Sequence, residues 1–272
     1  MMDHKISVIM GIYNCAGTLP EAIDSILAQT YTNWNMILCD DGSKDNTYDV
    51  ARRYQEKYPD RIILLKNEEN KGLNHTLNRC LQYADGDFIA RMDGDDVSLP
   101  RRFEKEVQAL EKHPEYAIVS MPMVYFDANG EWGYGKANPH PMKKDFLYGT
   151  PFCHAPCMVR REAYERVRGY TDDPKYLRVE DYDLWIKMYA AGYQGMNLTE
   201  PLYCMRDDRD AVARRKFRYR INEFFVLCKA IHILHLPIYG YIYAVRPLIV
   251  GILPTFIYEF LHKKRLKASR SD

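Results

Sequence analysis

The sequence predicts an α/β fold with a mostly parallel central sheet flanked by helices, followed by a C-terminal helical, apolar appendage. Short runs rich in β-branched residues alternate with helical patterns of about ten residues, which is typical of βαβ units. Beyond residue 224 the chain becomes apolar and aromatic and the alternation stops. We therefore expect residues 1–220 to form the α/β domain and residues 221–272 to form the appendage.

The first part of the chain supplies four predicted strands, each a short apolar run of the kind that lies buried in a parallel sheet. They cover residues 5–12, 35–39, 61–66 and 87–91. The helices between them begin beside Thr18, beside Ser43 or Asp45, and after Gly72, which are residue types that open helices. These helices extend to about residues 29, 57 and 83.

The second part of the domain is less regular. A polar helix follows Pro100 and ends near His113, and residues 116–126 are predicted to form one strand that ends at a hairpin turn, residues 127–130. Residues 132–152 are rich in Gly, Pro and Tyr, which indicates irregular structure near a site. Three further elements complete the domain: a strand at 155–159, a helix at 161–167 and an amphipathic helix at 184–191.

The composition excludes some classes of function. Lys and Arg number 38 against 37 Asp and Glu, a net charge of +1, so no overall field attracts nucleic acid. The 7 cysteines are irregularly spaced and form neither a zinc pattern nor a disulfide framework, which favours a reducing cytosol. The first ten residues enter a strand without the layout of a signal peptide. We therefore expect a cytoplasmic protein.

The appendage is apolar but interrupted. Proline at 237, 247 and 254, with Arg246, argues against one membrane-spanning helix, which needs about 20 uninterrupted apolar residues. Short amphipathic helices lying on the inner face of a membrane fit better, with tyrosines at headgroup depth and basic residues on anionic lipid. We expect this peripheral contact to involve residues 224–267; the alternative is a helical hairpin packed on the main domain. The residues concerned are Tyr239, Tyr241, Tyr243, Tyr258, Lys263, Lys264, Arg265 and Lys267.

Three acidic groups follow elements that an α/β sheet would gather at one edge. Asp40 and Asp41 follow the second strand, residues 93–96 (Asp-Gly-Asp-Asp) follow the fourth, and Glu180 and Asp181 open a late helix. Three carboxylates within four residues repel one another unless a cation or hydrogen-bond donors share the site, although a solvated acidic turn is the alternative. The chain has no Walker-type or dinucleotide-binding glycine loop, so a bound diphosphate would have to be held by a metal.

Four ordered motifs resemble those of the family 2 glycosyltransferases, which have the GT-A fold. They are SVIMGIYN at 7–14, CDDGSKDNT at 39–47, NEENKGLNHTLNRCLQYADGDFIARMDGDD at 67–96 and VEDYDLW at 179–185, and the resemblance extends over about residues 5–205. It implies an inverting transfer from a nucleoside-diphosphate sugar, commonly a UDP sugar, to an acceptor hydroxyl, assisted by Mg²⁺ or Mn²⁺. The acceptor would be a glycan or lipid-linked saccharide of surface polysaccharide synthesis.

The resemblance also implies roles for individual residues on the donor side. Tyr13 would stack on the base and Asp41 would bond its edge, while Asp40 supports the loop. Asn74, in the loop beside the nucleotide, would make a polar contact with it. Asp95 is the expected metal ligand, and Asp93 would be shared between the metal and the ribose. Asp96 is either a third ligand or a support for the following turn.

On the acceptor side, the resemblance makes Asp181 the general base, with Glu180 as a neighbour whose like charge raises its pKa; helix capping is the alternative. His154 would lie near the acceptor or the diphosphate, unless it is structural. Trp185 is expected in the core rather than at the acceptor. Basic residues after the last strand would cover the diphosphate, or else form a solvated charge run: Arg206, Arg209, Arg214 and Arg215.

Two other functions share these sequence features. Nucleotidyl or phosphoryl transfer on the same fold also uses paired carboxylates to hold metals, but such enzymes bring a glycine- and arginine-rich triphosphate loop early in the chain, and nothing here resembles it. A non-catalytic relative that binds a nucleotide sugar is the other alternative. Every acidic position that the chemistry needs is present, which favours the enzyme.

Overall fold

The structure is a computed structural model that describes residues 3–207 and 217–252. Its strands agree closely with the predicted apolar runs in the first part of the chain. They are β1 Ile6–Ile12, β2 Trp34–Asp40, β3 Ile62–Lys66, β4 Phe88–Arg91, β5 Val97–Ser98, β6 Tyr116–Ser120, β7 Val124–Asp127, β8 Gly130–Tyr134, β9 Met158–Arg160, β10 Gln194–Asn197 and β11 Tyr203–Arg206.

The helices alternate with the strands up to β4 and then cluster toward the end of the chain. They are α1 Leu19–Leu27, α2 Thr47–Lys57, α3 Leu73–Leu81, α4 Arg102–Lys112, α5 Arg161–Val167, α6 Glu180–Ala190, α7 Phe217–Ile233 and α8 Gly240–Ile252. Two 3₁₀ turns, Lys143–Leu147 and Pro174–Tyr176, lie in the less regular part.

A seven-stranded sheet forms the centre, in the order β10-β6-β9-β4-β1-β2-β3. Strands β1, β2, β3 and β4 run parallel, as do β10 and β6, whereas β9 runs antiparallel to both of its neighbours. The predicted mostly parallel α/β sheet is therefore confirmed. A smaller sheet, in the order β5-β11-β7-β8, lies beside it.

The core lies on both faces of the central sheet, because alternate residues of each strand point to opposite sides. Val8 and Met10 of β1 belong to the cluster that includes α1 and α4, whereas Ile9 belongs to the cluster that includes α3, α6 and α7. Trp185 is fully buried in the second cluster, as expected of a core residue.

Two elements differ from the sequence prediction. The single strand expected at 116–126 is two strands in different sheets, separated at residues 121–123, where Pro122 has no N–H to donate to a ladder. Helix α6 begins at Glu180, four residues before the predicted start, so the acidic pair lies inside its first turn. Acidic side chains at this position are favoured by the helix dipole.

The C-terminal part is a pair of helices packed on the main domain. Helix α7 contacts α6 and α8, and α8 contacts the 3₁₀ turn at 143–147. The domain boundary that we expect between residues 220 and 221 falls inside α7. No helix within the described ranges is long and apolar enough to cross a bilayer. The tail after residue 252, with Tyr258 and its basic residues, lies outside the described residues.

Candidate active site

The carboxyl ends of β1, β2 and β4 bring the first candidate residues to one edge of the central sheet. Tyr13 directly follows β1, Asp41 directly follows β2, and Asp93 comes two residues after β4. Because β1 lies between β2 and β4, these three positions are neighbours at that edge. This is the edge at which open α/β sheets bind ligands.

A cleft of about 310 Å³ opens beside Tyr13 and Asp41. Its walls include Gly11 of β1, the loop before α3, and the first turns of α3. The Tyr13 ring is 44% exposed, so one of its faces is accessible for stacking. An aromatic face beside a buried carboxylate is an arrangement that suits a nucleobase.

Asp41 organises the loop before α3. Its Oδ1 accepts hydrogen bonds from the Lys71 N–H at 2.9 Å and the Asn67 amide at 2.7 Å, and its Oδ2 accepts one from the Gly72 N–H at 2.8 Å. Gly72 has a φ of +92°, which a residue with a Cβ rarely adopts. The carboxylate thus lines the cleft and also holds the loop that forms its wall. Asp40 is fully buried and accepts from the Ser43 N–H, which gives it the supporting role that we expected.

Asn74 differs from the prediction that it contacts the nucleotide. Its side chain is buried, its amide donates to the Thr171 carbonyl at 2.8 Å, and it is not part of the wall of the cleft. The side chain therefore ties α3 to the loop that precedes α6. The residues of this region that do face the cleft are Asn70, Gly72, Leu73 and Thr76.

A larger cleft of about 680 Å³ adjoins the first. It brings together residues as far apart in the sequence as Leu73 and Glu223. The two clefts share Leu73, Arg178, Glu180 and Tyr219. The predicted site residues in its wall are Asp93, Asp95, Asp96, His154, Glu180, Asp181 and Arg206. A substrate with a nucleotide and a sugar could therefore extend from one cleft into the other.

Asp93 is held by Arg91. The two carboxylate oxygens accept from the Arg91 guanidinium at 2.6 and 2.9 Å, and the arginine side chain is only 4% exposed. Asp95 is the exposed carboxylate of the loop, yet the walls of the cleft remove enough hydration to raise its pKa, and the charge of Asp93 adds to the effect. A cation that binds here would stabilise the ionised form of Asp95.

Asp96 supports the neighbouring sheet. It is 2% exposed, its Oδ2 accepts from the Tyr203 hydroxyl at 2.9 Å, and its Oδ1 accepts from the Arg206 N–H at 2.8 Å. Burial, together with the charges of Asp93 and Asp95, raises its pKa well above the usual range. Both oxygens of Asp96 are engaged by β11, and Asp96 is buried, whereas the Asp93 side chain is 28% exposed. Asp96 therefore has the contacts of a supporting residue rather than of a third metal ligand.

The pKa of Asp181 is shifted toward neutral pH. Burial, and next the charge of Glu180, raise the pKa of Asp181 to about 7. Burial also raises the pKa of Glu180. A carboxylate whose pKa lies near neutral pH accepts a proton more effectively than an ordinary aspartate. Both side chains come from the first turn of α6 and face the cleft that holds Asp93 and Asp95.

His154 lies in the same wall as a neutral side chain. Burial, with a contribution from the Arg91 charge, lowers its pKa well below the usual value. Its Nε2 is 2.8 Å from the Tyr170 hydroxyl. A neutral imidazole offers a hydrogen bond but no charge to a ligand. In this state, His154 would contact a ligand through a hydrogen bond.

Arg206 reaches the cleft from β11. Its Nε donates to the Asp95 carbonyl at 3.0 Å, its Nη2 contacts Glu21 at 2.5 Å, and its guanidinium stacks on Phe126 at 4.5 Å. The side chain therefore fixes the backbone of the acidic loop. The other predicted basic residues, Arg209, Arg214 and Arg215, fall outside the described residues.

The structure adds residues that the sequence analysis missed. Helix α7 contributes Tyr219, Arg220 and Glu223 to the wall of the larger cleft, and Arg220 pairs with Glu223 at 2.7 Å. The spacing of three and four residues among them was a signal that they share one face of a helix. For Arg91, the signal in the sequence was a charged residue at the end of the apolar run that forms β4. Arg178, at a φ of +67°, lies between the two clefts.

The carboxylates fit a divalent cation that is bound together with a substrate. Within residues 3–207 and 217–252, no three His, Cys, Asp or Glu side chains form a complete metal site. Asp95, with Asp93 beside it, instead offers a partial set of hard oxygen ligands. Mg²⁺ is often bound in this way, by one or two carboxylates and the phosphates of its substrate.

Sequence comparison finds relatives that match this chain along most of its length. A relative named "Putative glycosyltransferase EpsE", from Bacillus subtilis, is 47% identical over 262 residues, which cover 96% of this chain and 94% of the relative. A relative from Escherichia coli is 28% identical and covers 82% of this chain and 85% of its own length. Its name is UDP-Glc:alpha-D-GlcNAc-diphosphoundecaprenol beta-1,3-glucosyltransferase WfaP.

Among solved structures, a mannosyltransferase from Pyrobaculum calidifontis, PcManGT in complex with GDP-Man and Mn²⁺, superposes with a TM-score of 0.67. It is 23% identical, and the match covers 95% of this chain and 79% of the other. This likeness shows the fold, which is the GT-A fold. The profile of the family described as Glycosyl transferase family 2 matches residues 7–168, more than half of the chain. The chain is a glycosyltransferase, and it belongs to family 2.

Proposed function

We propose that the protein is an inverting, metal-assisted transferase that moves a sugar from a nucleoside-diphosphate sugar to an acceptor hydroxyl. The observation that carries this proposal is the position of Asp181. Its pKa is about 7, and it faces Asp93 and Asp95 across one cleft that adjoins the cleft of Tyr13 and Asp41. A single displacement at the sugar needs a base for the acceptor hydroxyl and a metal ion that stabilises the leaving diphosphate. The two adjoining clefts would hold both parts together.

In this proposal the nucleotide occupies the smaller cleft. The base stacks on Tyr13, and Asp41 and the backbone of the Lys71–Gly72 loop contact its edge. Asn74 acts indirectly, through its hydrogen bond to Thr171, by holding α3 in place. Similar proteins differ in their nucleotides: the name of WfaP specifies UDP-Glc, and the mannosyltransferase structure contains GDP-Man. We propose a UDP sugar because WfaP matches in sequence along most of both chains.

The diphosphate and the sugar would lie in the larger cleft. Asp95, with Asp93, would hold Mg²⁺ or Mn²⁺, and the bound ion would neutralise the charge of the leaving diphosphate. Arg206 keeps the acidic loop in position through the Asp95 carbonyl. His154 offers a neutral hydrogen bond in the same wall.

The acceptor would enter on the side of α6. Ionised Asp181 takes the proton from the acceptor hydroxyl while the oxygen attacks the anomeric carbon. The bond to the diphosphate breaks on the opposite face of the sugar, which inverts the configuration. Glu180 keeps the pKa of Asp181 high by its charge. The name of WfaP specifies a diphosphoundecaprenol-linked saccharide, so we propose a lipid-linked acceptor in surface polysaccharide synthesis, modified at the cytoplasmic face of a membrane.

The test is sugar-nucleotide turnover with Mg²⁺ or Mn²⁺ and a diphospholipid-linked saccharide as the acceptor. Asp181→Asn and Asp95→Ala should each lower kcat by roughly a hundredfold or more, which is typical of the loss of a base or of electrostatic stabilisation. Asp60→Asn, an exposed residue outside both clefts, is the control. Full activity in both site variants would contradict the assignment. Pyrophosphate release from a nucleoside triphosphate would indicate nucleotidyl transfer instead.

Nucleotide binding is tested separately by thermal shift. A UDP sugar that binds the folded chain should raise the melting temperature, and Mn²⁺ should strengthen the effect. Tyr13→Ala should reduce the shift, whereas Asp181→Asn should retain it, because the base is proposed to act on the acceptor. A shift with binding but no turnover on any acceptor would favour a non-catalytic binding protein.

A further inference from the structure

Helix α8 has one buried face and one unusually exposed apolar face. Gly240, Ala244 and Pro247 are buried. The contact at Gly240 is close, since an added Cβ would lie 2.7 Å from Leu147 and 3.2 Å from Ile231. The opposite face carries four exposed aliphatic residues: Ile242 at 75%, Val245 at 41%, Ile249 at 58% and Ile252 at 75%. Ile238, two residues before the helix, is 84% exposed.

The spacing of these residues makes them a continuous row. Positions 242, 245, 249 and 252 recur at intervals of three or four, which places them on one side of the helix over about 15 Å. Exposed apolar residues that occur singly need no explanation, but a contiguous row marks an interaction surface.

A second segment extends the row. Tyr148, which is 58% exposed, packs edge-on against Tyr243 of α8 with ring centroids 5.2 Å apart. Met142, at the start of the same 3₁₀ turn, is 53% exposed. The surface is thus built from two parts of the chain about a hundred residues apart. We refer to it as the α8 patch, which consists of Met142, Tyr148, Ile238, Ile242, Val245, Ile249 and Ile252.

The charges beside the patch are basic. Lys143 and Lys144 are exposed on the 3₁₀ turn, and Arg246 is exposed on α8. No Asp or Glu occurs between residues 224 and 258. The acidic residue nearest in sequence to the lysines, Asp145, accepts hydrogen bonds from the Met142 N–H at 2.7 Å and the Asn138 amide at 3.2 Å. A complementary partner therefore has an apolar interior that can cover the aliphatic residues and anionic groups at its surface that can contact the basic residues.

We propose that the α8 patch seats the enzyme on a bilayer that contains anionic lipid, with α8 lying parallel to the membrane surface. The isoleucines enter the boundary between headgroups and acyl chains, while Lys143, Lys144 and Arg246 contact the headgroups. A bilayer fits better than a second copy of the chain, because apposed patches would bring the same basic residues together.

One end of α8 lies close to the larger cleft. Gly251, near the end of α8, approaches Phe217 and Arg220 of α7, where an added Cβ would lie 2.9 Å from each side chain. Arg220 lines the larger cleft. One end of the patch thus lies beside the cleft, so a lipid-anchored acceptor could reach Asp181 from the membrane. The delivery of a lipid-linked acceptor rests on the proposed function. Membrane binding itself does not depend on the transfer reaction and can be measured without it.

The test is flotation of the full chain with vesicles, without a donor. The probes are vesicles of phosphatidylcholine alone and of phosphatidylcholine mixed with phosphatidylglycerol. We expect binding to the anionic vesicles, and a reduction of the partition coefficient by at least about tenfold in the double variant Ile242→Ser/Ile249→Ser. Lys143→Gln/Lys144→Gln should weaken binding to the anionic vesicles by a similar factor and remove much of its salt dependence. Tyr83→Ser, at an exposed aromatic residue after α3 and outside the α8 patch, should bind normally.

Several results would overturn the proposal. One is a wild-type chain that floats with neither kind of vesicle. Another is an Ile242→Ser/Ile249→Ser variant that binds the anionic vesicles as well as the wild type. Size-exclusion chromatography that shows a dimer which the isoleucine variant disrupts, without vesicle binding, would identify a second copy as the occupant. Donor hydrolysis by Ile242→Ser/Ile249→Ser should match the wild type, so a failure of the lipid proposal is distinguishable from a failure of the proposed reaction.

Discussion

The buried ion pair between Lys229 and Asp183 offers a sharp test of how α7 supports α6, the helix of the proposed base. Asp183 lies in the first turn of α6, two residues after Asp181, and its carboxylate is fully buried. Lys229 of α7 donates to it, the Thr171 hydroxyl donates at 2.6 Å, and Lys187 is 3.8 Å away. Replacing Lys229 by Met keeps the aliphatic stem and removes the charge.

The magnitude follows from what the variant leaves behind. Breaking a fully buried pair costs about 3–5 kcal/mol, because one charge stays buried without its partner. The Lys229 side chain is 24% exposed and Lys187 remains nearby, so we expect a smaller loss than for a fully buried pair, about 2–3 kcal/mol. For a chain of this size the melting temperature should fall by roughly 4–12 °C.

The assay is thermal and urea denaturation of Lys229→Met, of Asp183→Asn and of the double variant, with activity measured in parallel. The double variant removes both charges and should recover most of the lost stability. We also expect kcat to change more than KM for the donor, because α6 carries the proposed base, whereas the proposed nucleotide site lies beside α3. Lys112→Met, at an exposed lysine of α4, is the control. A loss below about 0.5 kcal/mol, the size of ordinary surface substitutions, would refute the reasoning.

Three further predictions follow from the site and the core. Burial and the charge of Glu180 raise the pKa of Asp181 to about 7, and its ionised form is the proposed base, so kcat should rise with pH through about 7 and level off above it. A rate that falls across this range would contradict the proposed role. Asp41→Asn leaves one oxygen to accept from the N–H groups of Lys71 and Gly72, which now donate to two separate carboxylate oxygens. The loop should therefore be held less firmly, and KM for the donor should rise roughly tenfold in initial-rate measurements. An unchanged KM would exclude this function of the loop. Gly86→Ala should lower the free energy of unfolding by about 2 kcal/mol, since the new Cβ would lie 2.5 Å from the backbone nitrogen of Ser7. Gly17→Ala, where nothing lies within 4 Å of the added Cβ, should leave stability nearly unchanged in the same denaturation experiment.

Local patterns were sufficient for the first part of the fold and for the composition of the site. The four early strands are apolar enough to be buried on both faces, and the acidic residues directly follow them or open a helix. Because the ends of parallel strands meet at one edge, the sequence alone predicted that Asp41 and Asp93 would be neighbours. It also placed Trp185 in the core, as the structure confirms.

The roles of individual side chains required the tertiary structure. Asn74 lies in the first turn of α3, and its amide donates to the carbonyl of Thr171, a partner 97 residues away that no local pattern indicates. The supporting role of Asp96 likewise depends on Tyr203 and Arg206, which a distant strand brings to it. Hydrogen bonds over such separations are decided by packing, so they are not encoded in the spacing of a motif.

The acidic loop illustrates the division between sequence and structure. From the sequence we predicted that residues 93–96 take part in a metal-assisted site, because clustered carboxylates need compensation. Only the folded chain decided that Arg91 compensates Asp93, that β11 engages Asp96, and that Asp95 is the carboxylate left exposed to a cation. The sequence determines which charges must be balanced. Which neighbour balances each of them depends on the strands and helices that pack around the loop.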